Sequence, residues 1–136
     1  MKKRSVTLVL ALVAILSCIS VSARASIYLF NYSATAYGSD TGEITIEFDV
    51  TGNQISDRIG ASKITLYRDN GRMVEAITGS VNNGLITTSD ASHFGSHTFD
   101  HLIPGEYYYA EVTIFAEDNG GSDSRVIETN SARVPS

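Results

Sequence analysis

A chain of 136 residues with one cysteine is not an internally bridged disulfide scaffold, because a single thiol has no partner. Fifteen acidic residues against ten basic ones give a formal charge of −5, which argues against nucleic acid as a partner, since phosphate backbones attract basic surfaces.

At the N-terminus Lys2, Lys3 and Arg4 precede an uncharged, mostly apolar run from Val6 to Val21, and Ala23-Arg24-Ala25 follows. This is the layout of an export signal: a basic start, a short apolar stretch, and small residues where the peptidase pocket needs them. Cleavage after Ala25 is expected, so that residues 1–25 are a signal peptide and 26–136 a single secreted, extracellular domain. The apolar run is about 16 residues, short of the roughly 20 that cross a bilayer as a helix, and no stable membrane span is expected. Ile15-Leu16-Ser17-Cys18 also resembles a lipobox, so the alternative is a chain lipid-anchored at Cys18. Residues 26–136 hold six basic residues against fifteen acidic ones, a net −9.

Beyond the signal, apolar residues recur with a period of two. Ile27 to Tyr37 reads as extended, and Gly38 to Gly42 supplies a reversal. From Glu43 to Thr51 the alternation is strict, with Ile44, Ile46, Phe48 and Val50 on one face and Thr45, Glu47 and Asp49 on the other. Gly52 to Ala61 reads as irregular, with room for one helical turn. Lys63 to Arg68 and Met73 to Ile77 form a hairpin over Asn70-Gly71, a pair suited to a type I′ turn. Between Gly79 and Ser96 the chain is polar, and Leu85 to Thr88 is the one short strand expected there. His97 to Leu102, a corner at Ile103-Pro104-Gly105-Glu106 and a long strand from Tyr107 to Glu117 follow, with Tyr108, Ala110, Val112, Ile114 and Ala116 on one face. A loop from Asp118 to Asp123 leads to a last strand near Arg125 to Thr129. About seven or eight antiparallel strands predict an all-β sandwich or barrel.

Leu102-x-Pro104-Gly105-x-x-Tyr108, followed by Ala110, Val112, Ile114 and Ala116, resembles the E–F corner and F strand of fibronectin type III domains. The resemblance implies an immunoglobulin-like (fibronectin type III-like) β-sandwich. It also implies that Tyr108 forms a tyrosine corner, its ring inward and its hydroxyl bonded to the upstream backbone. Phe48 occupies the place where such domains usually carry a tryptophan. The chain is also similar to small secreted bacterial proteins of uncharacterised function, through Asp57 to Ser62, Tyr107 to Ala116 and Gly120 to Arg125. That likeness implies a compartment and a size but no activity.

Catalytic chemistry is not legible. His93, His97 and His101 are four residues apart, which on a strand is about 13 Å, too far to share one ion, so they read as solvent-facing or loop histidines. No serine lies in a Gly-x-Ser-x-Gly elbow, and no cofactor or metal site is expected. The acidic loop from Glu117 to Asp123 offers Asp118, Asn119 and Asp123 to calcium, but it lacks the EF-hand spacing and reads as an inter-strand turn. Asn31-Tyr32-Ser33 is a formal glycosylation sequon inside a predicted strand. If Tyr108 points inward, alternation turns Tyr107, Tyr109 and Phe115 outward, joined by Tyr67 and Thr65 of the neighbouring strand. An exposed strip of Tyr67, Tyr107, Tyr109 and Phe115 suits a protein or glycan partner, while the same rings can simply stabilise the sheet as cross-strand pairs. The reading is a non-catalytic interaction module; the alternative is a structural or self-associating extracellular protein that pairs through edge strands.

Overall fold

The computed structural model describes residues 26–136; the expected signal, its cleavage motif and Cys18 lie outside the described residues. Seven strands follow in order: β1 (Leu29–Gly38), β2 (Ile44–Arg68), β3 (Met73–Thr78), β4 (Ile86–Phe99), β5 (Tyr107–Asp118), β6 (Gly121–Glu128) and β7 (Ala132–Arg133). They pair antiparallel in one curled sheet, and there is no helix among the described residues. The alternation behind the all-β reading comes directly from the side chains: Ile44, Ile46, Phe48 and Val50 are all buried, as are Tyr108, Ala110, Val112, Ile114 and Ala116. Each fully buried Ile, Leu or Phe contributes about 1.5–3 kcal/mol relative to an exposed one.

The expected irregular stretch at 52–61 is instead strand, so β2 runs for 25 residues. At about 3.3 Å per residue a straight strand of that length would reach roughly 80 Å, far beyond the dimensions of a compact chain of this size, whose radius of gyration is about 13 Å. β2 therefore bends. Its pairing with β4 slips between Thr51 and Ser56, and Gly60, at φ 150°, takes a conformation that L side chains rarely adopt. The bend divides the strand's partners. Ile44 to Thr51 lies between β1 and β4, whereas Lys63 to Arg68 lies between β3 and β5, and β5 pairs on with β6.

The Asn-Gly turns at 70–71 and 119–120 both differ from expectation. At Asn70-Gly71 only Gly71 has positive φ, the amide of Gly71 donates to the carbonyl of Arg68 at 2.8 Å and that of Arg68 to Arg72 at 2.8 Å. The hairpin is thus a type I turn closed by a left-handed glycine in a three-residue loop, with the register slip at Leu66/Tyr67 that such a bulge brings. The type I′ turn is at Asn119-Gly120, where φ is 44° and 77° and Asp118 pairs directly with Gly121. The expected acidic loop accordingly shrinks to two residues, and β6 begins at Gly121. The predicted short strand at 85–88 is the start of β4, which pairs along β2 for most of its length.

Two histidines also depart from the sequence reading. His93 pairs with Val50 and His97 with Ile46, so both share the inward face and are half-buried rather than solvent-facing. His93 Nε2 donates to the carbonyl of Gly84 at 2.6 Å, and its ring lies 5.9 Å from that of Phe48. Between them Phe48 faces Gly95, where a Cβ would stand 2.4 Å from the Phe48 ring. The ring thus occupies the place of the missing side chain.

Candidate functional site

The outward face shared by the second half of β2 and by β5 carries the predicted aromatic strip, and the structure sorts its members. Tyr67 and Tyr109 are cross-strand partners whose rings stack at 5.3 Å and 15°. Both are half-buried. The hydroxyl of Tyr67 donates to Glu111 Oε2 at 3.2 Å. Burial first, and the charge of Glu111 second, push the Tyr67 phenol above its ordinary range, which keeps it a neutral donor. Tyr107, two residues along on the same face, is 48% exposed.

Phe115 does not join them. It points outward as alternation requires but is only 7% exposed, because the Arg58 guanidinium sits 5.6 Å from its ring centroid. Arg58 is itself held by Glu117 at 3.6 Å. Thr65, expected on the open strip, is likewise buried. The strip of four exposed rings is therefore a patch of three tyrosines, and Phe115 is covered.

Beside Tyr107 a hollow of about 380 Å³ is lined by Arg68, Asp69, Asn70, Glu106 and Tyr107. Its polar walls come from the loop between β2 and β3 and from the corner before β5. The backbone fixes their positions: Asp69 N donates to Tyr107 O at 3.1 Å, and Gly105 N to Val134 O at 2.9 Å. Tyr108 closes the same corner from inside, 2% exposed, its hydroxyl accepting from Ile103 N at 3.3 Å. Sequence reasoning found the rings but missed the hollow, whose lining is brought together by strand ends that are not adjacent in the chain.

The acidic groups near the β5–β6 turn have other partners. Asp118 accepts from Gln54 at 2.5 Å, and Asp57 from the amide of Asn119 at 3.2 Å. Asp123 accepts from Ser26 Oγ at 2.5 Å; that bond is the main cause of its lowered pKa. Among the described residues no three His, Cys, Asp or Glu side chains converge as a metal-binding group, and no helix is long and apolar enough to cross a membrane.

A further aromatic, unsuspected from sequence, is Phe94 on β4. It is 60% exposed on the outward face of β1, β2 and β4. Register puts Ser33, Asp49 and Phe94 in one row and Thr35, Glu47 and Ser96 in the next. Ser33, Thr35, Glu47, Asp49 and Phe94 border a shallow hollow of about 160 Å³. Glu47 accepts from the Tyr37 hydroxyl at 2.9 Å.

No family model and no curated protein matches this chain. Among solved structures it is similar to the X-ray structure of Northeast Structural Genomics Consortium target SoR45, at a TM-score of 0.43 and 9% identity, over 82% of this chain and 89% of that one. A likeness this distant bears on neither fold nor function.

Proposed function

We propose that this chain is an exported, non-catalytic interaction module that holds a glycan against Tyr67, Tyr109 and Tyr107. The observation that carries the reading is the adjacency of the tyrosine patch to the hollow at Arg68, Asp69, Asn70 and Glu106. Sugar rings present apolar C–H faces that pack on aromatic rings, and hydroxyls that need several donors and acceptors at once. The tyrosines offer the first, and the arginine, amide and carboxylates offer the second. A mature charge of −9 favours a neutral glycan over an anionic one.

The finer architecture belongs to the same proposal. A β-sandwich of fibronectin type III-like form is supported by the division of partners along β2, with β1 and β4 on its first half and β3, β5 and β6 gathered around its second. The Tyr108 hydroxyl bonded to Ile103 N supports a tyrosine corner. Export with cleavage after Ala25 is supported by Ser26, whose side chain caps the amide of Leu29 at 2.7 Å and donates to Asp123. A new terminus there would be tied to the sheet from its first residue. A non-catalytic role is supported by the engagement of His93, Glu111, Asp118 and Asp123 in structural bonds.

The test is a titration of secreted, isotope-labelled protein, its first residue read as Ser26, with soluble cell-wall glycan fragments. Chemical shifts are expected to move at Tyr67, Tyr107 and Tyr109 and to stay fixed at Phe115. Tyr107→Ser should weaken binding about tenfold, the loss typical of one aromatic anchor. Shifts confined to other faces, or none with any fragment, would remove the glycan reading; shifts with a protein partner alone would replace it with a protein-binding one.

A further inference from the structure

Two features remain outside the tyrosine patch, and they are complementary. The first is Phe94, an exposed ring in the middle of β4, with Asp49 beside it in the same cross-strand row and Glu47 in the next. Every other side chain of those two rows is serine or threonine, so the patch is an apolar knob carrying two negative charges and no positive one. The Asp49 carboxylate has no hydrogen-bond or ion-pair partner among the described residues.

The second is a hollow of about 350 Å³ where β3 faces the loop after β4, lined by Arg68, Arg72, Met73, Val74, Leu102 and Ile103 among others. Its apolar rim is open to water: Met73 is 59% and Ile103 50% exposed. No carboxylate lines it. Neither arginine has an acidic partner within ion-pair distance among the described residues, although acidic residues outnumber basic ones by more than two to one in this part of the chain. A cavity of about 150 Å³ is enough to take up benzene, so this one has room for a phenyl ring.

The two patches do not meet within one molecule. Phe94 lies five residues before Phe99, the end of β4, or about 17 Å along the strand, and the hollow begins beyond that end on the far side of the corner. From this complementarity we infer that the chain self-associates head to tail, Phe94 of one copy entering the Met73–Ile103 hollow of the next while Asp49 and Glu47 approach Arg72 and Arg68. Ring into apolar hollow gives the contact its attraction; two carboxylates opposite two guanidiniums fix its orientation and disfavour other pairings. Such a contact joins different surfaces on the two copies, so it closes into a ring or continues as a filament rather than stopping at a symmetric dimer. Arg68 borders both this hollow and the one beside Tyr107, but Phe94, Asp49 and Arg72 belong to neither the tyrosine patch nor its hollow, so variants at these positions test self-association separately from the glycan reading.

Sedimentation velocity on the purified protein from micromolar to millimolar concentration tests it, with Phe94→Ser and Arg72→Glu as variants. Both positions are at the surface, and unchanged circular dichroism and melting would establish that each variant folds; Asp49→Asn serves as a milder third. The wild type is expected to form species beyond the dimer as concentration rises. Each single variant should stay monomeric to at least tenfold higher concentration, and Asp49→Asn should shift the onset severalfold. An equimolar mixture of Phe94→Ser and Arg72→Glu should form a one-to-one dimer and stop, because the mixture retains one intact knob and one intact hollow. A wild type monomeric throughout, assembly that survives either variant, or variants that do not complement one another would each overturn the inference.

Discussion

The two halves of β2 bury their inward faces equally and treat their outward faces in opposite ways. In the first half Thr45 is buried, but Glu47 and Asp49 are flanked by serines, threonines and Phe94, and that stretch of the face stays largely open. In the second half, Thr65 is buried, Tyr67 stacks on Tyr109, and on the adjoining strand Phe115 lies under Arg58. Alternation decides only which side of a sheet a residue occupies. Whether that side is covered depends on the reach of the cross-strand neighbours: hydroxyl side chains are too short to shelter an adjacent ring, whereas Tyr and Arg are long enough to lie across one. The first half therefore leaves the rings of Phe94 and Tyr37 exposed, while the second spends most of its aromatic area on itself.

The most direct way to break this contrast is to disturb the bend that gives the two halves different partners. Gly60 sits at φ 150°, and an added Cβ would stand 2.1 Å from the carbonyl oxygen of Leu85 and 2.8 Å from Ile86 Cα. Both obstacles are backbone, so no side chain can move aside. Gly60→Ala is expected to cost about 3 kcal/mol or more, backbone strain adding to overpacking, read as a lower urea midpoint. A loss below about 1 kcal/mol would mean that the junction is free to relax and that the halves are not held apart there.

That junction is also where the sequence was least legible. Gly52, Asn53, Asp57 and Gly60 are loop-forming by type, and only Ser56 and Ile59 among residues 53–59 are buried, so no period could be heard there. What keeps the stretch extended is its partners, with Ser56 opposite Asp90, Arg58 opposite Thr88 and Ile59 opposite Ala116; pairing between distant segments has no local signature. Where one strand carried its own pattern, as in Ile44 to Val50 or Tyr108 to Ala116, reading and structure agree. The site follows the same rule. Tyr67 and Tyr109 were found because they belong to patterned strands, and the covering of Phe115 by Arg58 was not, because Arg58 lay in the stretch read as irregular. The Asn-Gly turns at 70–71 and 119–120 show the remaining limit: each dipeptide tolerates positive φ, and the structure uses that tolerance at both residues in the second and at glycine alone in the first.

A second substitution sharpens the contrast within the first half. Gly95→Ala would push a methyl group against the Phe48 ring, 2.4 Å from its tip, on the inward side of the same short segment whose outward side is open. Because the obstacle is the end of a side chain, partial relief is possible, and a cost of about 1–3 kcal/mol is expected. The neighbouring Ser96→Ala, on the open face, should change stability by no more than about 0.5 kcal/mol. Comparable losses at 95 and 96 in denaturant titrations would show that the outward face is as tightly packed as the inward one, and the difference between the halves would vanish.

The smallest expected effect comes from His97, on the inward side of the first half. Its ring meets that of Phe99 edge-on at 4.6 Å and 78°, and burial pulls its pKa below the ordinary 6.5, only partly opposed by the charges of Glu75 and Asp100. The neutral ring is the form the fold prefers, so between the lowered folded value and 6.5 the unfolded chain binds the proton that the folded chain refuses. The stability tied to this preference is complete above pH 6.5 and is lost as the pH falls through the folded value. Melting temperature should decline on acidification from pH 7.5 to 5.5, and His97→Phe, which removes the titrating group but keeps a ring against Phe99, should flatten that decline. An equal slope in the variant would mean that the ring is hydrated well enough to take up its proton at no cost, and the inward face of this half would be as open to water as its outward one.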